Sequence, residues 1–169
     1  SGNRIDWLVG IINGTCNYIL TAMDEQGTSF AGALTEAQEL GYAEADPGFD
    51  VDGVDAAQKL ALLAALAFDI PVSMDDMYIE GISGVTVEDL RYARELGFRI
   101  RHVGIARRNE EKFETRVHPS LIPATDLVGD VAGVANAVIV GANAIGSMLL
   151  VGPGAGGLPT ASAVLSDLI

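Results

Sequence analysis

Residues 98–118, FRIRHVGIARRNEEKFETRVH, carry the reading that decides the fold class. Phe98 to Arg107 alternates in the manner of a half-buried strand. Lys112 to His118 reads as its hairpin partner, joined through Arg108-Asn109-Glu110. Two apolar runs further on, Ala137 to Val140 and Ser147 to Val151, read as a second strand pair, and Ile5 to Ile12 as a strand that ends at Asn13-Gly14. Between these lie helical patterns. Tyr18, Ile19, Ala22 and Met23 recur at helical spacing, which predicts a helix from Thr15 to about Gln26 with Gly27 just beyond it. Ser29 caps a helix over Phe30 to Leu40 that Gly41 stops. Val54 to Phe68 is the strongest helix, rich in Ala and Leu and followed by Pro71. Thr86 opens another, with Asp89 as its capping-box partner and Gly97 at its close. Helices in runs, with hairpins and no regular βαβ alternation, predict an α+β domain with a mixed sheet.

The 169 residues suit one domain with a real core, and 49% hydrophobic content excludes disorder along the chain as a whole. A formal charge of −13 repels the nucleic-acid backbone and anionic membranes, so neither is an expected partner. Val131 to Ser166 carries no charge, yet glycines and Pro153 and Pro159 break it. It reads as short buried strands between turns rather than as a membrane span. The one cysteine, Cys16, permits no intrachain disulfide and fits a reducing compartment; it reads as a small core residue. Ser1 to Ile5 lacks the basic-then-apolar order of a signal peptide.

Three segments bear on chemistry. From Gly41 to Gly53 runs an acidic loop, with Glu44, Asp46, Asp50 and Asp52, that enters the helix carrying Asp55 and Lys59. Asp55 and Lys59 are four apart and share a helix face, which by itself is a cap from Asp52 plus a surface ion pair worth about 0.5 kcal/mol. Crowding argues for more, because these carboxylates repel one another unless a cation sits among them. A calcium loop with Gly53 in its sixth position would put Gly48 first and Lys59 twelfth, and both fail as ligands. The ammonium of an amino-acid substrate is the better guest, with Lys59 exchanging a proton at a reacting oxygen. Gly152 to Gly157 matches G-x-G-x-x-G, but no second strand or acidic residue follows it, so it reads either as a tight turn or as a backbone surface meeting a cofactor held elsewhere. Gly10 to Tyr18 is a strand–turn–helix junction that offers N–H groups to an anion, or a plain structural turn. His102 and His118 have no second ligand at metal spacing and read as structural; no metal site is expected.

Together the stretches GIINGTCNYIL (10–20), AQELGYAEADPGFDVDGVDAAQKLALLA (37–64), VHPSLIP (117–123) and GPGAGGLPTASAVLSDL (152–168) resemble homoserine dehydrogenase over nearly the whole chain. Cys16 stands where that family usually has Thr or Ser. The resemblance implies a mixed sheet with helices packed on one face. It also implies NAD- or NADP-dependent interconversion of L-homoserine and L-aspartate 4-semialdehyde, in threonine and methionine biosynthesis, by a cytoplasmic homodimer. In the family's roles, Lys59 resembles the catalytic lysine and Asp55 its helix partner. Glu44, Asp50 and Asp55 resemble substrate ligands, and Tyr42, Gly14 and Thr15 further pocket lining. Gly41 and Gly156 resemble positions whose backbone meets the cofactor. Residues 1–169 would then be the substrate-binding, catalytic and dimerisation domain, and 152–169 a turn and helix that pack toward a nucleotide-binding domain carried elsewhere. The alternative is a non-catalytic dimerisation module of a larger metabolic enzyme.

Overall fold

Apolar and β-branched side chains over Ile5–Ile11 form strand β1, which lies inside a sheet in the computed structural model, where residues 2–110 and 112–169 are described. The other strands are β2 (Tyr78–Ile79), β3 (Phe98–Asn109), β4 (Lys112–Pro123), β5 (Ala135–Ala142) and β6 (Gly146–Pro153). Their order across the sheet is β2-β4-β3-β1-β5-β6. Every pairing is antiparallel except β2 with β4, so the sheet is mixed as the sequence predicts. The hairpin is longer than its alternation indicates: β4 runs on through Pro119 to Pro123, paired with Phe98. Those prolines are tolerated because only the two-residue β2 flanks β4 on its other side.

The helices are α1 (Gly14–Gln26), α2 (Phe30–Glu39), α3 (Gly48–Val51), α4 (Val54–Phe68), α5 (Val87–Glu95) and α6 (Gly157–Leu168). Local caps account for most boundaries. Ser29 accepts from the Gly32 amide, and Thr86 with Asp89 forms the reciprocal capping box. Gly27 takes the left-handed conformation after α1. Three features depart from the sequence reading. The acidic loop contains the short helix α3, and α6 starts at Gly157 rather than Thr160. Asp52 does not cap α4; Gly53 does, at φ 87°, without any side-chain cap bond.

The core has two parts on the helix side of the sheet. Ala56, Ala57, Leu60 and Ala64 of α4 pack on Leu8, Ile12, Ala106 and Val117. Small residues let α4 approach closely, and Gly104 is bare because any Cβ there would press on Leu60. The second part joins α1 and α2 to Ile82, Val51 and Leu90. The opposite sheet face is covered near Val103 by Val128 and Val131. Over Trp7, Val9, Ile105, Ile122 and Ile139 it stays half-exposed.

One contact sets the acidic turn against the sheet. Ile82 N donates to Val51 O at 2.8 Å and Glu80 N to Val117 O at 2.8 Å, so residues 80–82 bridge α3 and β4. Gly81 lies so close that a Cβ would overlap the backbone of Val51 and Asp52. Gly81→Ala should therefore lower stability by about 1–3 kcal/mol, read as a lower urea midpoint. Gly84→Ala, where a Cβ meets nothing within 4 Å, should stay within about 0.5 kcal/mol of wild type.

Candidate active site

Where β1 ends, the backbone turns through Asn13 into α1. Asn13 is extended (φ −128°, ψ 112°), and its Oδ1 accepts from the Cys16 amide at 2.8 Å, capping the helix. The other end of the same amide faces the acidic loop. Nδ2 donates to Asp50 Oδ1 at 2.7 Å and to Asp55 Oδ2 at 2.8 Å. Asp55 Oδ2 also accepts from Lys59 Nζ at 2.8 Å, one turn along α4. A continuous polar chain thus runs Asp50–Asn13–Asp55–Lys59, joining α3, the turn between β1 and α1, and α4. Nearby, Thr15 Oγ1 donates to the Tyr42 carbonyl at 2.8 Å, and the Tyr18 and Tyr42 rings pack 5.0 Å apart. These contacts hold the loop after α2 against the first turn of α1.

The chain borders a cavity of about 470 Å³. Gly14, Thr15, Gly41, Tyr42, Asp50, Asp55 and Lys59 all line it, as does Gly156 in the glycine-rich turn. The structure therefore brings together the anticipated site residues except Glu44. That side chain is exposed and outside the lining, and its carbonyl accepts from Gln38 Nε2 at 2.9 Å. Asn13 and Asn136 line the cavity and were not singled out in the sequence. Asn13 was legible as a turn residue before a helix, but its carboxylate partners lie 37 and 42 positions away. Asn136 gave no signal. Its amide fills the space that a Gly154 side chain would need, which is why a bare glycine stands there. Gly156, at φ 126°, has a backbone that L side chains rarely adopt.

Burial pushes the Cys16 thiol far above its ordinary range, and Asp50, Asp55 and Asp52 add to this, so it is no nucleophile. Behind the site, His102 is 3% exposed and its Nε2 donates to the Glu80 carbonyl at 2.9 Å. Its ring packs beneath Gly53, where a Cβ would come within 3.3 Å of the imidazole. Burial holds its pKa below the ordinary 6.5, with His118 a smaller cause, while the bond to Glu80 opposes the shift. A wider open groove of about 630 Å³ along β2 and β4 contains Glu80, Glu114 and Arg116. There Glu80 takes the Tyr78 hydroxyl and Glu114 pairs with Arg116.

The sequence profile of homoserine dehydrogenase matches residues 1–169. A homoserine dehydrogenase of Pseudomonas aeruginosa is 58% identical over 169 residues, which are 100% of this chain and 39% of that protein. The crystal structure of a homoserine dehydrogenase from Thiobacillus denitrificans superposes with a TM-score of 0.96 at 57% identity, covering 98% of this chain and 38% of that one. A hyperthermophilic archaeal homoserine dehydrogenase in complex with NADPH superposes with a TM-score of 0.82 at 29% identity, over 99% of this chain and 47% of that one. The chain thus spans about two fifths of the length of the first two.

Because folding lowers the His102 pKa, the unfolded chain takes up this proton first as pH falls. Stability from His102 is present above about pH 6.5 and is lost below it. Unfolding free energy measured by urea between pH 7 and pH 5 should decline less steeply in His102→Gln than in wild type, by up to about 1.4 kcal/mol per pH unit.

Proposed function

The chain belongs to the homoserine dehydrogenase family, and we propose that it forms the substrate side of an NAD(P)-dependent active site that interconverts L-homoserine and L-aspartate 4-semialdehyde. The observation that carries this reading is the Asp50–Asn13–Asp55–Lys59 chain bordering a cavity that glycine backbone also lines.

Each residue has a task set by its chemistry. Among the described residues, Asp50 Oδ2 and Asp55 Oδ1 carry no hydrogen bond, so each carboxylate keeps an oxygen for the substrate ammonium. Glu44, exposed two residues beyond Tyr42, adds negative charge that draws an ammonium toward the cavity. The first turn of α1, at Gly14 and Thr15, faces the substrate carboxylate with the positive end of a helix. Lys59 exchanges a proton at the substrate oxygen, taking it when the alcohol is oxidised and returning it when the aldehyde is reduced. Asp55 keeps Lys59 oriented for that transfer.

The nicotinamide cofactor, when bound, supplies or accepts the hydride. The residues present fit such a group. Gly41, Gly154 and Gly156 present backbone to the cavity, and the Asn136 amide occupies the one space where a Gly154 side chain would stand, leaving a wall that a flat ring can approach. Most cofactor contacts would lie in a nucleotide-binding domain. Either NADP or NAD would satisfy this wall.

We further propose that the half-exposed sheet face pairs with a second copy, giving a two-fold dimer. Membership of the family supports a place in threonine and methionine biosynthesis, and a single, buried thiol is in keeping with the reducing cytoplasm.

In an enzyme that joins these residues to a nucleotide-binding domain, Lys59→Ala should lower kcat for aldehyde reduction about 100-fold or more, with the melting temperature unchanged. Near-normal turnover, followed by cofactor absorbance, would remove the catalytic assignment. Light scattering of the 169-residue chain should give twice its 17.6 kDa, and Ile105→Glu on the open sheet face should return it to a monomer. A monomeric wild type would overturn the interface.

A further inference from the structure

Resting on that functional reading, we propose that Asn13 is a positioning residue of the active site: its amide hydrogens hold Asp50 and Asp55 at one spacing and thereby aim Asp55 at Lys59. The residue type is what argues for this. A carboxamide has one acceptor oxygen and two donor hydrogens. At Asn13 the oxygen is committed to the Cys16 amide, which turns Nδ2 toward the acidic loop, and the two hydrogens go to different carboxylates. Asp or Ser would cap α1 about as well as Asn does. Capping alone therefore does not call for Asn. The second task does, since Asp would bring a third carboxylate and Ser is too short to span two partners.

Position supports the same conclusion. Asn13 is 4% exposed, so its bonds are sheltered from solvent. It ties the end of β1 to α3 through Asp50 and to α4 through Asp55, and no other side chain among the described residues hydrogen-bonds both acids. The groups facing it are acidic or neutral apart from one: Asp50 from α3, Asp52 from the turn that follows, Asp55 and Lys59 from α4, the Cys16 thiol from α1 and Tyr42 from the loop. Lys59 is the cationic one, and among the described residues its ammonium hydrogen-bonds Asp55 alone. With Asn13 in place each acid has a hydrogen-bond donor facing it. Without those hydrogens the like charges would push the two side chains apart, and the aim of Asp55 at Lys59 would be lost.

Asn13→Asp tests the charge relation while keeping the cap. Carboxyl carbon NMR of the 169-residue chain at pH 7 should show the Asp50 and Asp55 carboxyl resonances displaced from their wild-type positions. In an enzyme that joins the chain to a nucleotide-binding domain, the pH profile of kcat/KM for homoserine oxidation should move to higher pH, with the cofactor KM within about twofold of wild type. Asn13→Ser keeps a cap without the bridge. It should lower kcat about tenfold or more and leave the cofactor KM near wild type, with a melting temperature lowered by several degrees but a folded protein at assay temperature. Superposable spectra and pH profiles in Asn13→Asp, or full turnover in Asn13→Ser, would overturn the proposal. If Asn13→Asp does not fold, the kcat of Asn13→Ser decides. Should the wild-type enzyme show no homoserine oxidation at all, the functional reading falls, whereas the NMR comparison still judges the bridge.

Discussion

Two carboxylates that take hydrogen bonds from one amide nitrogen must lie within a few ångströms of each other. That enforced proximity of Asp50 and Asp55 shapes this end of the molecule. Like charges at such a distance cost free energy unless donors or cations face them. The fold meets that demand with one buried asparagine and one lysine, drawn from the end of β1 and from α4. The acidic loop is consequently not a solvated entry to a helix. It is a folded turn, with α3 inside it, that directs Asp50 inward onto Asn13 and leaves Glu44, Asp46 and Asp52 exposed.

Bare glycine backbone lets neighbouring groups close in around that turn and the cavity beside it. Gly81 meets the backbone of Val51 and Asp52, Gly53 lies on the His102 ring, and the Asn136 amide stands where Gly154 would carry a side chain. Each contact works only because a Cβ is missing. Close backbone packing leaves little room for the turn to shift, which fixes where Asp50 stands relative to Asp55. The cost falls on conformational freedom, as Gly53 and Gly156 occupy backbone regions that other residues rarely enter.

The sheet supports this arrangement unevenly. On its helix face α4 is held by Ala56, Ala57, Leu60 and Ala64, and that packing orients the adjacent Asp55 and Lys59. The other face is closed near Val103 and half-open over Trp7, Val9 and Ile105. An apolar face of this kind on a chain with a formal charge of −13 marks where association gains most from burial.

The chain alone determined whatever depends on near neighbours. Caps at Ser29 and Thr86, the glycine after α1, the Phe98 hairpin and the helical spacing of Asp55 and Lys59 all follow from residues a few positions apart. The acidic loop, too, was legible as a run of carboxylates, but not which of them turns toward the cavity. Tertiary structure decided the rest. Only the fold places Asn13 between Asp50 and Asp55, leaves Glu44 outside the cavity, sets Gly53 rather than Asp52 at the start of α4 and brings Asn136 against Gly154. Those outcomes depend on pairs tens of residues apart, whose meeting is governed by sheet register and helix packing, and no local period or propensity encodes them.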